Sequence, residues 1–172
     1  MQADRSAANV RILGLDPGSR HTGFGVIDQK AGRLQPVRFG RFSLPPKSDL
    51  ASRLAELDAQ LSALVDELEP THAALETPFQ GLNPRSLIIL SQARGVLIAA
   101  LARRRIPITE YTPTEVKSAV SGYGRAAKSQ VGRMVCQILA LGNEKPSEDA
   151  ADALAVAICC ANRSHFELLR TE

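Results

Sequence analysis

The segment ILGLDPGSRHTGFGVID, residues 12–28, decides the fold. An apolar run ends in the motif Asp-Pro-Gly at residues 16–18, which is typical of a buried strand that stops at a turn. A strand pattern then resumes and continues through a third segment. Because the connections are too short for crossover helices, the sequence predicts three consecutive antiparallel strands, at residues 10–15, 22–28 and 34–44.

After the third strand, the spacing of apolar residues changes to every third or fourth position. This pattern predicts a helix over residues 50–68, with Ser48 or Asp49 as its N-cap and Pro70 as its stop. Short strands and helices alternate from there on. Strands are predicted at residues 72–76 and 106–111, and helices at residues 84–104 (capped by Asn83), 113–120, 128–141 and 148–163 (capped by Ser147). This order predicts an α/β domain with a mixed sheet covered on both faces.

Length and composition are those of one soluble globular domain. The chain has 172 residues, of which 44% are hydrophobic and 23% charged. Residues 1–9 are predicted to be a flexible tail and residues 10–172 a single domain. The longest apolar stretch, residues 95–102, is too short to span a bilayer. The three cysteines have neither metal-ligand nor disulfide spacing, so free thiols and a cytoplasmic location are expected, for Cys136, Cys159 and Cys160.

Charge is distributed unevenly, although the net charge is only +3. Residues 49–76 contain seven acidic residues and one basic residue, whereas residues 85–133 contain nine basic residues and two acidic ones. The basic half could face a polyanion such as nucleic acid. A solvated surface of mixed helices explains the same numbers, and charge alone favours that explanation.

Four acidic residues occupy positions that could form one site. Asp16 and Glu76 end the first and fourth predicted strands, where ligand sites of α/β sheets gather if the two strands are adjacent. Asp149 and Asp152 share one face in the first turn of the last helix. Each acid also has an ordinary explanation, as a turn residue, a solvent-exposed strand end or a favourable charge at a helix N-terminus.

If the four acids do converge, their mutual repulsion requires a cation. Mg²⁺ prefers oxygen ligands and is usually held by a few carboxylates together with substrate phosphate. Two such ions could activate a water molecule and stabilise the leaving oxygen of a phosphodiester. Zinc is disfavoured because the sequence has no cluster of Cys and His. We therefore expect two Mg²⁺ ions, replaceable by Mn²⁺, at Asp16, Glu76, Asp149 and Asp152.

Four stretches resemble the RuvC family of Holliday-junction resolvases, which belongs to the RNase H-like/retroviral integrase superfamily. They are the segment at residues 12–28, ALET with SQARG at residues 74–95, the VK and AKSQV motifs at residues 111–131, and DAADALAVA at residues 149–157. The resemblance implies an RNase H-like five-stranded sheet with helices on both faces. It also implies a homodimeric crossover junction endodeoxyribonuclease that makes paired symmetric nicks in four-way junction DNA during recombination and repair, in partnership with the RuvA–RuvB branch-migration motor.

The resemblance also assigns roles to individual residues. The family's catalytic carboxylates match Asp16, Glu76, Asp149 and Asp152. The basic residues that it places near the cut phosphate match Lys117 and Lys128, and the aromatic residue that inserts at the junction centre matches Phe79. Thr77 and Pro78 depart from the family's pattern beside Glu76, which bears on cleavage-site preference.

The sequence is also compatible with three other functions. The same fold and metals could serve an RNase H-like nuclease that acts on RNA–DNA hybrid or other RNA. A non-catalytic junction-binding module could use the basic half alone. The motif Asp-Pro-Gly followed by Thr22 and Gly23 resembles the phosphate loop of actin-like kinases, but 172 residues leave no room for their second domain.

Overall fold

The computed structural model describes residues 10–18, 21–44, 47–78 and 83–170; the tail predicted at residues 1–9 lies outside them. Five strands form one mixed sheet in the order β3-β2-β1-β4-β5. The strands are β1 (Val10–Pro17), β2 (Thr22–Lys30), β3 (Arg33–Phe42), β4 (His72–Glu76) and β5 (Ile108–Tyr111). The antiparallel pairing of β1 with β2 and of β2 with β3 confirms the predicted series. β4 runs parallel to β1, and β5 runs parallel to β4.

In the described part of the chain five helices cover the sheet, and each begins at its predicted residue. They are α1 (Leu50–Leu68), α2 (Pro84–Arg103), α3 (Pro113–Ser121), α4 (Lys128–Ile138) and α5 (Glu148–Arg170). The Asp49 carboxylate accepts a hydrogen bond from the Ser52 amide, and the Asn83 side chain accepts one from Ser86, so both predicted N-caps are present. The largest difference is at α5, which continues to Arg170, seven residues beyond its predicted end at residue 163. Helix α4 ends at Ile138, three residues early, because the chain turns through a positive φ at Ala140.

Alternating side chains of the sheet build two separate cores. Leu13 and Leu15 of β1 point to one face and pack with α1 and α2. Ile12 points to the other face and packs with α3, α4 and α5. The predicted α/β architecture, with a mixed sheet covered on both faces, is confirmed.

Two glycines let α5 lie directly on the sheet. A Cβ added to Gly14 would overlap the carbonyl oxygen of Ala153, and one added to Gly23 would overlap that of Asp149. The helix backbone therefore approaches β1 and β2 more closely than any side chain would allow. This contact brings the N-terminal end of α5 to the carboxyl end of β1.

Helix α2 is apolar on its outer side as well as on its inner side. Leu97 and Leu101 are fully buried against the sheet, whereas Ile88 is 59% exposed and Leu87 is 40% exposed. By length and composition α2 could cross a membrane, with a mean hydropathy of 1.4 over 18 residues, 28% of them buried. Its buried leucines tie it to the core, so the exposed residues mark an uncovered apolar face on a core helix.

Candidate active site

The pairing of β1 with β4 brings two of the expected acids together. Leu15 is in register with Leu75, so Asp16 and Glu76 follow at the same edge of two adjacent parallel strands. Both carboxylates line one cavity of about 530 Å³. The condition that the sequence left open, adjacency of the first and fourth strands, is met.

Helix α5 brings Asp149 and Asp152 to the same edge of the sheet. The Ser147 hydroxyl accepts a hydrogen bond from the Ala150 amide at 3.3 Å, which caps the helix as expected. Asp152 lines the same cavity as the two strand-end acids. Asp149 is not among the lining residues, but it lies beside Gly23 and is close enough to Asp16 to raise the pKa of Asp16.

Two lysines also line the cavity. Lys117 comes from α3, and Lys128 is the first residue of α4. The Nζ of Lys128 donates to Oδ2 of Asp152 at 2.8 Å and to Oε1 of Glu148 at 3.3 Å. The hydrogen bond to Asp152 raises the pKa of Lys128 above its usual value, so the ammonium stays charged.

Burial and mutual repulsion raise the pKa values of the two strand-end carboxylates, Asp16 and Glu76. Burial raises the pKa of Asp16 to about 6, and the neighbouring charge of Asp152 adds to the effect. Burial likewise raises the pKa of Glu76 to about 7, with Asp16 as the next cause. The positive charge of Lys128 opposes both shifts. The site therefore favours the binding of additional positive charge near neutral pH.

The donor chemistry fits a hard divalent cation. The acids offer only carboxylate oxygens, which Mg²⁺ prefers. Within the described ranges, however, no three ligating side chains are already close enough to share an ion. Asp152 is instead paired with Lys128, whose ammonium supplies a positive charge to the site. The four expected acids are thus neighbours at one edge of the sheet rather than a closed ligand cage.

Three arginines of the basic half are paired with acidic residues elsewhere in the fold. Arg103 and Arg104, at the end of α2, pair with Asp58 and Asp66 of α1, so a solvated surface explains them. Arg94 was not predicted as a site residue from the sequence. It lines the cavity and pairs with Glu110 at 2.6 Å. The SQARG motif that contains it was the available signal.

The expected junction-inserting aromatic, Phe79, falls in residues 79–82, outside the described part of the chain. The described residues on either side of this segment are Pro78, which lines the cavity, and Asn83, which caps α2. The expected free thiols are found. Cys159 and Cys160 are buried and Cys136 is half-buried, and none of the three is in a disulfide.

Known proteins are similar to this chain in both sequence and fold. A relative from Neisseria meningitidis serogroup B, named crossover junction endodeoxyribonuclease RuvC, is 47% identical over 159 residues, covering 92% of this chain and 89% of the relative. A protein of the same name from Burkholderia vietnamiensis is 48% identical over 153 residues, covering 89% of this chain and 84% of the relative.

Among solved structures, Thermus thermophilus RuvC in complex with a Holliday junction substrate superposes with a TM-score of 0.86 at 29% identity, covering 92% of this chain and 96% of that one. The yeast mitochondrial Holliday junction resolvase Ydc2 shares the fold, with a TM-score of 0.69 at 17% identity and coverage of 94% and 82%. The family model for crossover junction endodeoxyribonuclease RuvC matches residues 12–160. With the resemblance of its motifs confirmed over nearly the whole domain, the chain belongs to the RuvC family of crossover junction endodeoxyribonucleases.

Proposed function

We propose that this chain is a metal-dependent, structure-selective DNA endonuclease that resolves Holliday junctions by paired symmetric nicks in recombination and repair. The observation that carries the proposal is one cavity, at the carboxyl ends of β1 and β4, lined by three carboxylates and two lysines. Membership of the RuvC family supports the choice of substrate. Its free thiols fit a cytoplasmic enzyme.

The four acids and the two lysines at this site have proposed roles. Asp16, Glu76, Asp149 and Asp152 would hold Mg²⁺, or Mn²⁺ in its place, with two ions at each site. Bound there, these ions would activate a water molecule and stabilise the leaving oxygen of the phosphodiester. Lys117 and Lys128 would bind the phosphate at the cut. Their two ammonium groups would offset the repulsion between this phosphate and the nearby carboxylates.

Two further features concern recognition of the junction. Phe79 is proposed to insert among the unstacked bases at the junction centre, where stacking on its ring compensates for lost base stacking. The outer face of α2, with exposed Leu87 and Ile88, is proposed to bury itself in a two-fold homodimer. A dimer places two active sites on equivalent strands of a nearly two-fold substrate. We also propose RuvA–RuvB as the partner motor.

The test is cleavage of a synthetic four-way junction in Mg²⁺, beside a duplex and an RNA–DNA hybrid of matched sequence. We expect paired nicks in opposite strands of the junction, little cutting of duplex, and no product in EDTA. Preferential cutting of the hybrid would instead indicate an RNase H-like nuclease. Binding without cutting in either Mg²⁺ or Mn²⁺ would indicate a non-catalytic junction-binding module.

The homodimer has its own measurement. Ile88→Glu places a charge on the exposed apolar face, and sedimentation should show that it shifts the protein from dimer to monomer. Val37→Glu, which places the same charge on a 37% exposed apolar residue of β3, is the matched control. An unchanged sedimentation coefficient for Ile88→Glu would place the interface elsewhere.

A further inference from the structure

A second groove, of about 730 Å³, continues from the active-site cavity. It lies between α4 and the segment that leads into α5, and Lys128 and Asp152 line both the cavity and the groove. We call it the α4–α5 groove. The lining residues that carry the argument are Arg133, Cys136 and Gln137 of α4 and Lys145 before α5.

The charges along the α4–α5 groove do not balance locally. Its two acidic residues, Glu148 and Asp152, are both paired with Lys128. Arg133 and Lys145 are exposed, and neither has an ion-pair partner within the described ranges. They differ from the arginines of α2, which pair with acids of α1. The three basic and two acidic side chains that line the groove therefore leave it with a net charge of +1, and its two cations without a paired acid lie next to the site where a phosphodiester would be cut.

The spacing of polar side chains on α4 suits an extended polyanion. Ser129, Arg133 and Gln137 recur every four residues, so they line one face of the helix. Successive members are about 6 Å apart along the axis at 1.5 Å per residue. Arg, Ser and Gln side chains all donate hydrogen bonds to phosphate oxygens, so the three residues can contact the backbone of one strand.

We propose that the α4–α5 groove binds the sugar–phosphate backbone of the nicked strand beyond the cut, with Arg133 and Lys145 as its phosphate contacts. The proposal rests on the proposed function, because it extends the path of the same substrate strand. Phosphate contacts fix the register of a protein on DNA and carry no base information. The groove therefore contributes affinity and positioning, without setting the cleavage sequence.

The first experiment measures the salt dependence of junction binding. The double variant Arg133→Ala/Lys145→Ala is compared with Lys30→Ala/Arg33→Ala, which removes the same charge at the opposite end of the sheet. All proteins carry Asp16→Asn, so that bound junction stays intact in Mg²⁺. The loss of two phosphate contacts is expected to lower the slope of log K against log salt by about 1.4 to 1.8, at roughly 0.7–0.9 per contact. The control should keep the parent slope, and an equal slope for both double variants would overturn the proposal.

A second experiment uses Cys136, which lines the groove, as a reporter. Cys159 and Cys160 are 0% and 2% exposed, so a thiol-specific maleimide should react first at half-buried Cys136. Saturating junction in the Asp16→Asn background is expected to slow this reaction at least about fivefold. Cys136→Ser in the same background identifies the labelled position. Labelling of Cys136 at the same rate with and without junction would overturn the proposal.

The two proposals fail in different ways. If the otherwise unmodified protein does not cut the junction, the proposed function fails whatever the groove variants do. If it cuts the junction, but the slope and the labelling rate stay unchanged, only the groove proposal fails.

Discussion

The Nζ of Lys128 lies 2.8 Å from Oδ2 of Asp152, so the first residue of α4 neutralises an acid in the first turns of α5. A cation at a helix N-terminus opposes the helix macrodipole, which makes the placement unfavourable on its own. Its ion pairs with Asp152 and Glu148 offset this disadvantage. The pair joins the two helices at the point where the active-site cavity meets the α4–α5 groove.

Lys128→Ala is expected to lower the rate of junction cleavage by about 10²-fold, because a preorganised charge beside the reacting phosphate is lost. Single-turnover kinetics measure the effect, with Lys30→Ala as the control for charge removal far from the site. Lys128 could instead serve only to balance Asp152. In that case Lys128→Ala would cut at a near-normal rate and need less Mg²⁺.

Replacing any one of the four carboxylates should abolish cleavage while junction affinity stays near that of the parent. The reason is that metal ligands act in the transition state, whereas basic residues supply most of the ground-state affinity. The variants are Asp16→Asn, Glu76→Gln, Asp149→Asn and Asp152→Asn, measured by nicking and gel shift. Glu144→Gln removes an exposed acid before α5 and should remain active. Near-normal turnover in any of the four would remove that residue from the catalytic set.

The metal-free protein is expected to lose stability as the pH rises from about 5 to 8. The pKa values of Asp16, about 6, and Glu76, about 7, lie above the ordinary carboxyl values of about 4. The folded state therefore binds more protons than the unfolded state in this window, and the free energy of unfolding falls with increasing pH. The expected loss is on the order of 4 kcal/mol, from about one pH unit of titration at Asp16 and two at Glu76.

Thermal melts in EDTA across this pH range measure the effect, and Glu76→Gln should give a flatter dependence. Mg²⁺ should raise Tm at pH 8, by mass action on the folded state; tenfold above Kd, this stabilises by about 1.4 kcal/mol. Asp149→Asn should slightly stabilise the metal-free protein, because it removes one repelling charge. A Tm that responds to Mg²⁺ no more than to monovalent salt of equal ionic strength would contradict a preformed site.

Gly23→Ala should destabilise the protein by about 1–3 kcal/mol or more, because the new methyl group meets the backbone of Asp149 and forces α5 away from β2. Junction cleavage should fall with it, since α5 carries two of the acids. Gly132→Ala is the matched control: its Cβ meets no atom within 4 Å, and alanine favours the helix by roughly 0.5–1 kcal/mol. Urea melts that rank the two variants in the opposite order would contradict the close approach of α5.

Phe79→Ala should reduce junction cleavage without changing Tm, because the proposed contact of Phe79 is with DNA bases. Fluorescence of 2-aminopurine at the crossover should also report less unstacking. Phe79→Tyr keeps the ring face and should retain most activity. A Tm drop equivalent to roughly 3–5 kcal/mol in Phe79→Ala would show instead that the ring belongs to the core.

The sequence by itself determined the elements and the candidate acids. Periodicity and capping residues are local properties. The strand with Asp16 near its carboxyl end and the helices capped by Asp49 and Asn83 could therefore be predicted from neighbouring residues alone. The motifs around Asp16 and Asp149 were specific enough together to indicate the family. The boundary of α4 was less predictable, because the turn at Ala140 has no glycine or proline of its own to mark it.

Only the tertiary structure decided which of these residues meet. The adjacency of β1 and β4 joins residues 60 positions apart in the chain, and no local pattern specifies that pairing. Packing likewise leaves the outer face of α2 exposed and leaves two cations of the α4–α5 groove without a paired acid among the described residues. The sequence shows that these apolar and charged residues are present, but it does not show which residues they contact. Elements are set by interactions between near neighbours, whereas sites are set by which elements pack together, and that depends on burial summed over the whole chain.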